Sequence, residues 1–166
     1  SSAQISFSIW NDTIPETFYS GDTLVIPLTV ESLTAHSLPS GASFNREAWI
    51  ELIVYNNNEI LYSSGVVNND ENLDYPDDDL LLFSSLLYDE NGALTSNITD
   101  MFSMDNFSLN AYQERFKYYN VFIPENISGE IEIVARFLFR PFKPDFIFQH
   151  HPEFINNLPI FEISSI

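Results

Sequence analysis

Hydrophobic and polar residues alternate along much of this chain, which is typical of β-strands with one buried face. The alternation is clearest over residues 23–32, 48–55, 115–123 and 130–140. Asn56, Asn57 and Asn58 follow the second segment and predict a hairpin turn into residues 60–62. A shorter alternation over 5–9 predicts a first strand.

Other segments are less regular. Pro27 has no amide hydrogen for a ladder, so it predicts an edge position or a bulge. The apolar run 80–88 fits a strand or a helix equally well. The remaining predictions are a loop over 68–79, a loop with one short strand over 93–109, a short helix within 145–156 and a last strand over 158–163.

These elements predict an all-β fold, an Ig-like sandwich of two antiparallel sheets with about seven to nine strands and one short C-terminal helix. The length of 166 residues suits a single domain, 1–166, with a sizeable core. Aromatic residues make up 15% of the chain and predict a well-filled interior, in which Trp10 and Trp49 are most simply core residues. No apolar run is long enough to predict a membrane span.

The net charge of −18 is extreme for a chain of this length, which has 24 acidic residues and only six basic ones. So few cations argue against nucleic-acid binding. The charge fits either simple solubility or a docking face for a cationic partner or for Ca²⁺. Asp77, Asp78 and Asp79 are the candidate calcium ligands, although their spacing fits no EF-hand loop and a solvated acidic loop is the alternative.

The absence of cysteine excludes disulfides, thiolate metal sites and covalent attachment of haem c by this chain. Four Asn-x-Ser/Thr sequons predict N-glycosylation at Asn11, Asn97, Asn106 and Asn126. Together with the charge and a start without Met, they predict an exported protein, extracellular or at the cell surface, with the periplasm as the alternative. His150 and His151 are adjacent, which favours a surface pair over a shared metal ion.

One loop carries the most specific pattern. It reads Thr34-Ala35-His36-Ser37-Leu38-Pro39-Ser40-Gly41, and Arg46-Glu47-Ala48-Trp49-Ile50-Glu51-Leu52 follows it. This order resembles the "GH-x-x-P-x-G … R-x-x-W" signature of a β-sandwich domain found at the C-terminal end of many multihaem c-type cytochromes, with Ala35 in place of the usual glycine. Further similar segments are Ile60 to Gly65, the Asp89 to Gly92 turn, Val121 to Pro124, Ile131 to Phe142 and Leu158 to Ile160. The resemblance covers about residues 25–166.

The resemblance implies that His36 packs near a haem and serves as an axial ligand of its iron. Because this chain has no Cys-x-x-Cys-His motif, that haem c would belong to a partner chain. The alternative is a histidine that only hydrogen-bonds its own loop. Arg136 and Arg140 are weaker candidates for binding a haem propionate, with pairing to nearby carboxylates as the alternative.

We therefore expect a non-catalytic, haem-free subunit or module of a multihaem cytochrome assembly for electron transport. No hydrolase motif points to an enzyme. A cell-surface module that assembles into filaments or adheres is the second hypothesis, because unpaired strand edges favour self-assembly. A calcium-dependent carbohydrate-binding module is the third.

Overall fold

Antiparallel strands make up most of the protein in the computed structural model, which describes residues 2–75 and 77–166. The strands are β1 (Ala3–Ser6), β2 (Ser8–Ile9), β3 (Asp12–Thr13), β4 (Thr23–Ser32), β5 (Glu47–Asn56), β6 (Glu59–Ser64), β7 (Leu82–Tyr88), β8 (Leu94–Thr95), β9 (Ser103–Asn106), β10 (Glu114–Phe122), β11 (Ile131–Arg140) and β12 (Phe161–Ser165). One α-helix, α1 (Pro144–His150), and two 3-10 helices, Ile98–Asp100 and Pro152–Asn157, complete the described elements.

The strands form two main sheets and one small hairpin. The first sheet has the order β1-β4-β10, and the second has the order β12-β11-β5-β7-β8, with β6 paired to β5 and β9 paired to β7. The hairpin consists of β2 and β3. The predicted all-β sandwich is confirmed. The described strands number twelve instead of seven to nine, because several are only two to four residues long and too short to show alternation.

The main apolar core contains residues from both sheets. Every second residue of β4, from Leu24 to Val30, is at most 2% exposed, as are Ala48, Ile50, Leu52 and Val54 of β5. Phe83 of β7 and Phe137 of β11 meet edge to face with their ring centroids 5.2 Å apart. Burial of these side chains is the dominant favourable term in folding, at roughly 25 cal/mol for each Å² of apolar surface removed from water.

The longest predicted strands are confirmed, and the chemistry of their turns explains their ends. β4 spans 23–32 as predicted. The β5–β6 hairpin turns through Asn57 and Asn58, which both have positive φ, a conformation that asparagine tolerates better than most residues. The ambiguous run 80–88 contains strand β7.

Pro27 lies where β4 is locally an edge strand. β1 pairs only with residues 29–32 of β4, while β10 pairs along 23–31. At Pro27 the ladder therefore has a partner on one side alone, which suits a residue without an amide hydrogen.

Three predicted segments are corrected. The first strand is interrupted at Phe7 and divides into β1 and β2. The region 93–109 holds two short strands, β8 and β9, where one was predicted. The last strand covers 161–165 and not 158–163, because a 3-10 helix extends to Asn157. Within the described ranges, no helix is both long and apolar enough to cross a bilayer.

Gly65 provides a test of the close approach between the end of β6 and β5. A Cβ added there would lie 2.4 Å from the carbonyl oxygen of Ile50, and φ is +71°. We predict that Gly65→Ala lowers the free energy of unfolding by more than about 3 kcal/mol, measured by urea denaturation.

Gly92→Ala is the matched control, since φ is +78° there but no atom lies within 4 Å of the added Cβ. Gly92→Ala should lower the free energy of unfolding by about 1 kcal/mol, which is the cost of placing a residue with a Cβ in this backbone conformation. Equal losses for the two variants would contradict the assigned clash.

Candidate functional site

His36 lies in the loop 33–46, which connects β4 to β5, and its side chain is exposed. Its Nδ1 is 3.1 Å from the carbonyl oxygen of Ser37. A carbonyl can only accept a hydrogen bond, so this contact assigns the ring proton to Nδ1. In the neutral ring Nε2 then carries the free lone pair, which is the arrangement of a histidine able to bind a metal.

The loop that carries His36 is anchored on both sides. Leu38 exchanges two backbone hydrogen bonds with Leu109, at N–O distances of 2.7 and 2.8 Å. Arg46 donates through Nη1 to the carbonyl oxygen of Ser40 at 2.7 Å. These contacts fix the loop that presents the imidazole. The imidazole hydrogen-bonds its own loop, as the alternative to iron ligation predicts. Its Nε2 is still available to a metal, so ligation of haem iron by His36 stays a prediction.

Arg136 and Arg140 both pair with carboxylates of the neighbouring strand. In the β5–β11 ladder Arg136 stands opposite Glu51, and Arg140 stands opposite Glu47. Arg136 donates to Glu51 Oε1 at 2.7 Å through Nε, and Arg140 donates to Glu47 Oε1 at 2.5 Å. The carboxylate-pairing alternative is therefore what the structure contains.

The two arginines differ in exposure. The side chain of Arg136 is 43% exposed, whereas those of Arg140 and Glu47 are fully buried. Arg140 cannot reach a propionate at the surface unless this pair opens. This corrects the expectation for Arg140, because burial of the whole side chain removes the access that the role requires.

Glu47 is the centre of a buried polar cluster, which we call the Glu47 cluster: Glu47, Tyr75, Arg140 and Lys143. The hydroxyl of Tyr75 donates to Glu47 Oε2 at 2.8 Å. The ammonium of Lys143 donates to the carbonyl oxygen of Ser85 at 2.8 Å. Burial raises the pKa of Tyr75 and the Glu47 charge raises it further, while burial lowers the pKa of Lys143.

The Glu47 cluster attaches the acidic segment 68–75 to the sandwich. Arg140 donates through Nη1 to the carbonyl oxygen of Glu71 at 2.8 Å. Its guanidinium also lies over the ring of Trp49, 5.3 Å from the centroid. The sequence reasoning missed this cluster, although one signal was present: residues 47 and 51 are acidic with a spacing of four, and 136 and 140 are basic with the same spacing.

The carboxylates of Asp77 and Asp79 are bound by protein donors. Ser64 donates its hydroxyl to Asp77 Oδ2 at 3.1 Å, and Tyr62 donates to Asp79 Oδ2 at 2.7 Å. Lys117 lies 3.7 Å from Asp79 Oδ1 and donates to the carbonyl oxygen of Asp78. Across residues 2–75 and 77–166, no group of three or more His, Cys, Asp or Glu side chains could hold a metal ion. The calcium role of Asp77, Asp78 and Asp79 stays a prediction, and the contacts described here fit the alternative of an acidic loop.

The remaining sequence-predicted residues are the two adjacent histidines and the four sequon asparagines. His150 ends α1 and His151 follows it, and both are exposed. Of the four sequon asparagines, Asn11, Asn106 and Asn126 are exposed and Asn97 is half-buried. Glycosylation stays a prediction.

The two tryptophans have opposite environments. Trp49 is fully buried, as expected. The expectation for Trp10 is wrong, since it is 81% exposed and lies against Phe116 with ring centroids 5.4 Å apart. Trp10 occupies the two-residue turn between β2 and β3 with φ of +52°, and this turn holds the indole outside the core.

Comparison with known proteins supports the fold. No protein-family model matches the sequence, and no curated protein matches it. Among solved structures, the crystal structure of a penta-heme cytochrome c552 from Thermochromatium tepidum matches with a TM-score of 0.66 at 15% sequence identity. The match covers 99% of this chain and 38% of that chain. At 15% sequence identity the match establishes a shared fold and nothing more. The fold of this chain therefore also occurs within a multihaem cytochrome, as the resemblance predicts.

The Glu47 cluster gives a stability prediction. Arg140→Met leaves the buried Glu47 carboxylate without its cation, and we expect a loss of about 3–5 kcal/mol in the free energy of unfolding, measured by urea denaturation. Arg136→Met is the comparison variant: it also removes the cation from a buried carboxylate, since the side chain of Glu51 is 5% exposed, but the 43% exposure of Arg136 gives water a path to that carboxylate. Its loss in the free energy of unfolding should therefore be smaller, about 1–2 kcal/mol. Similar losses for both variants would contradict the importance of the buried pair.

Three buried or partly buried tyrosines predict alkaline sensitivity. Burial raises the pKa of Tyr62, Tyr75 and Tyr119 above the ordinary tyrosine value. Above about pH 11.5 the unfolded chain has released these tyrosine protons and its Lys143 is neutral, while the native state keeps the tyrosine protons. Because burial lowers the pKa of Lys143, that amine is neutral in the native state as well. The native state then binds more protons, so stability falls as pH rises, by about 1.4 kcal/mol per pH unit for each of the buried side chains Tyr75 and Tyr119 and by less for Tyr62, which water screens.

Urea denaturation at several alkaline pH values measures this slope. The Tyr119 hydroxyl is buried without a hydrogen-bond partner in the described structure, so Tyr119→Phe should not destabilise the protein at neutral pH. That variant should remove about one third to one half of the alkaline slope. A slope unchanged by Tyr119→Phe would show that this tyrosine is not held protonated.

Proposed function

We propose that this chain is a haem-free, non-catalytic β-sandwich module that packs against a multihaem c-type cytochrome chain and supplies His36 as an axial ligand to one of its haem irons. The observation that carries the proposal is the fold match, which covers 99% of this chain, to a penta-heme cytochrome c552. These 166 residues contain no cysteine, so a haem c in such an assembly has its covalent attachment outside them.

His36 suits a ligand that acts between chains. It is exposed, its loop is anchored by the Leu38–Leu109 bonds, and its Nδ1 contact leaves Nε2 for iron. Haem iron accepts neutral imidazole, and a hydrogen bond at Nδ1 raises the basicity of the ligating nitrogen. Arg136 is the arginine that could add a propionate contact, because its side chain is 43% exposed.

The location that we propose is extracellular or at the cell surface. The charge of −18 and three exposed sequon asparagines, Asn11, Asn106 and Asn126, support it. An acidic surface also suits a partner with basic patches.

A structural module that forms filaments or adheres is the second candidate. The observation that favours it is β10, which pairs with β4 alone in the part of the chain that the structure describes. Its other edge is open to a strand from another molecule.

Isolation of the native particle separates the two candidates. We expect haem c to co-purify with this chain in a fixed ratio, measured by the pyridine haemochrome spectrum against the protein concentration. A colourless particle that contains this chain would contradict the cytochrome assembly and favour the structural module.

The ligand role of His36 has its own test. We predict that His36→Met in the assembled particle shifts the Soret and α bands of one haem, because a thioether then replaces imidazole at the iron. His151→Met is the matched control, since His151 is also exposed and lies outside the loop. An unchanged spectrum for His36→Met would exclude ligation while leaving the packing role intact.

A further inference from the structure

The outer face of the three-stranded sheet exposes a row of aromatic side chains. Phe116, Tyr118 and Phe122 alternate along β10 and are 47%, 37% and 61% exposed, respectively. The opposite residues of β10, such as Tyr119 and Val121, lie in the core. The β2–β3 hairpin packs on part of this face.

That hairpin holds Trp10 in place beside Phe116. Thr29 of β4 donates its hydroxyl to the carbonyl oxygen of Ser8 at 2.5 Å, and Tyr118 donates to Asp12 Oδ2 at 2.6 Å. Between these two anchors Trp10 occupies a position with φ of +52°, where glycine or asparagine is normally preferred. A large aromatic residue in this conformation is an outlier, and such strain persists mainly where it serves a function.

Two carboxylates stand at the same end of this face. Glu31 of β4 and Glu114 of β10 are directly opposite in the antiparallel register, where like charges repel. Both are exposed, and together with Trp10, Gln4 and Ser8 they line one shallow groove. The groove therefore combines an indole ring with two negative charges.

Among the described residues, no lysine, arginine or histidine side chain balances these charges. In residues 2–75 and 77–166, neither Glu31 nor Glu114 forms an ion pair. All six lysine and arginine residues are bound elsewhere: Arg46 to Ser40, Arg115 to Leu82 and Phe107, Lys117 to Asp78 and Asp79, Arg136 to Glu51, Arg140 to Glu47, and Lys143 to Ser85.

We propose that this face, formed by Trp10, Phe116, Glu31 and Glu114, is the docking surface for an arginine-bearing segment of a partner protein. A guanidinium stacks on an indole ring and donates paired hydrogen bonds to carboxylates, so it satisfies both components of the groove. A neutral glycan would leave the two carboxylates uncompensated, and an anionic partner would be repelled by them. The proposal does not depend on haem ligation by His36.

The proposal is tested by binding of labelled acetyl-hexa-arginine amide to the 166-residue chain, produced without glycosylation. Binding is measured by fluorescence anisotropy at physiological ionic strength. We expect Trp10→Asn to weaken binding of the peptide about fivefold or more, because it removes the indole ring. Asparagine is chosen because it tolerates the positive φ of this position. Glu31→Gln/Glu114→Gln should weaken binding about tenfold. In the unaltered chain, hexa-lysine should bind more weakly than hexa-arginine, and Trp10→Asn should reduce that difference.

Because any polycation is attracted to so acidic a protein, a control with the same net charge is required. Glu59→Gln/Glu90→Gln removes two exposed carboxylates of the other sheet and its loops. Equal weakening by the two double variants, no effect of Trp10→Asn, or no binding by the unaltered chain would overturn the proposal.

Two further measurements identify a different occupant. Binding of cellohexaose that depends on Trp10, without Trp10-dependent binding of the arginine peptide, would assign the face to glycans. A dimer in sedimentation that dissociates on Trp10→Asn would assign it to a second copy of the chain. Either result overturns the arginine proposal, and neither affects the haem test on the native particle.

Discussion

The buried ion pair between Glu47 and Arg140 is the constraint on which much of this structure depends. Two charges without access to water are stable only when their hydrogen-bonding groups find partners inside the protein. Here Tyr75 donates to the second oxygen of Glu47, and the carbonyl of Glu71 accepts from Arg140 Nη1, so that in the described structure Nη2 of Arg140 alone in this pair lacks a hydrogen-bond partner. The long acidic segment is therefore held against the sandwich by its backbone and one tyrosine, while its carboxylates remain outside.

The same pair specifies how the central strands align. Glu47 and Arg140 are directly opposite in the ladder of β5 and β11, and Glu51 and Arg136 repeat the arrangement four residues away. A slip of one residue would turn these side chains into the apolar core and move Ile50 and Phe137 out of it. Electrostatics and hydrophobic burial thus favour one register.

Alternation predicts β4, β5, β10 and β11 because each strand turns one mainly apolar set of alternate residues toward the core. Strands of two residues, such as β2 and β3, leave no such pattern. Trp10 was assigned to the core by its hydrophobicity, yet a two-residue turn holds it outside. Arg136 and Arg140 are indistinguishable in sequence, and only the position of the acidic segment, a tertiary feature, buries one and leaves the other half exposed.

The engagement of all six cations within the chain has a consequence for how the protein behaves in solution. Three of these cations pair with carboxylates and the other three bind backbone carbonyl oxygens, so the surface presents mainly acidic side chains and copies of the molecule repel one another at short range. Salt screens this repulsion over a Debye length of about 8 Å at physiological ionic strength. Dense arrays of the protein would consequently be favoured at high ionic strength, while encounters with basic partners would be fastest in dilute salt.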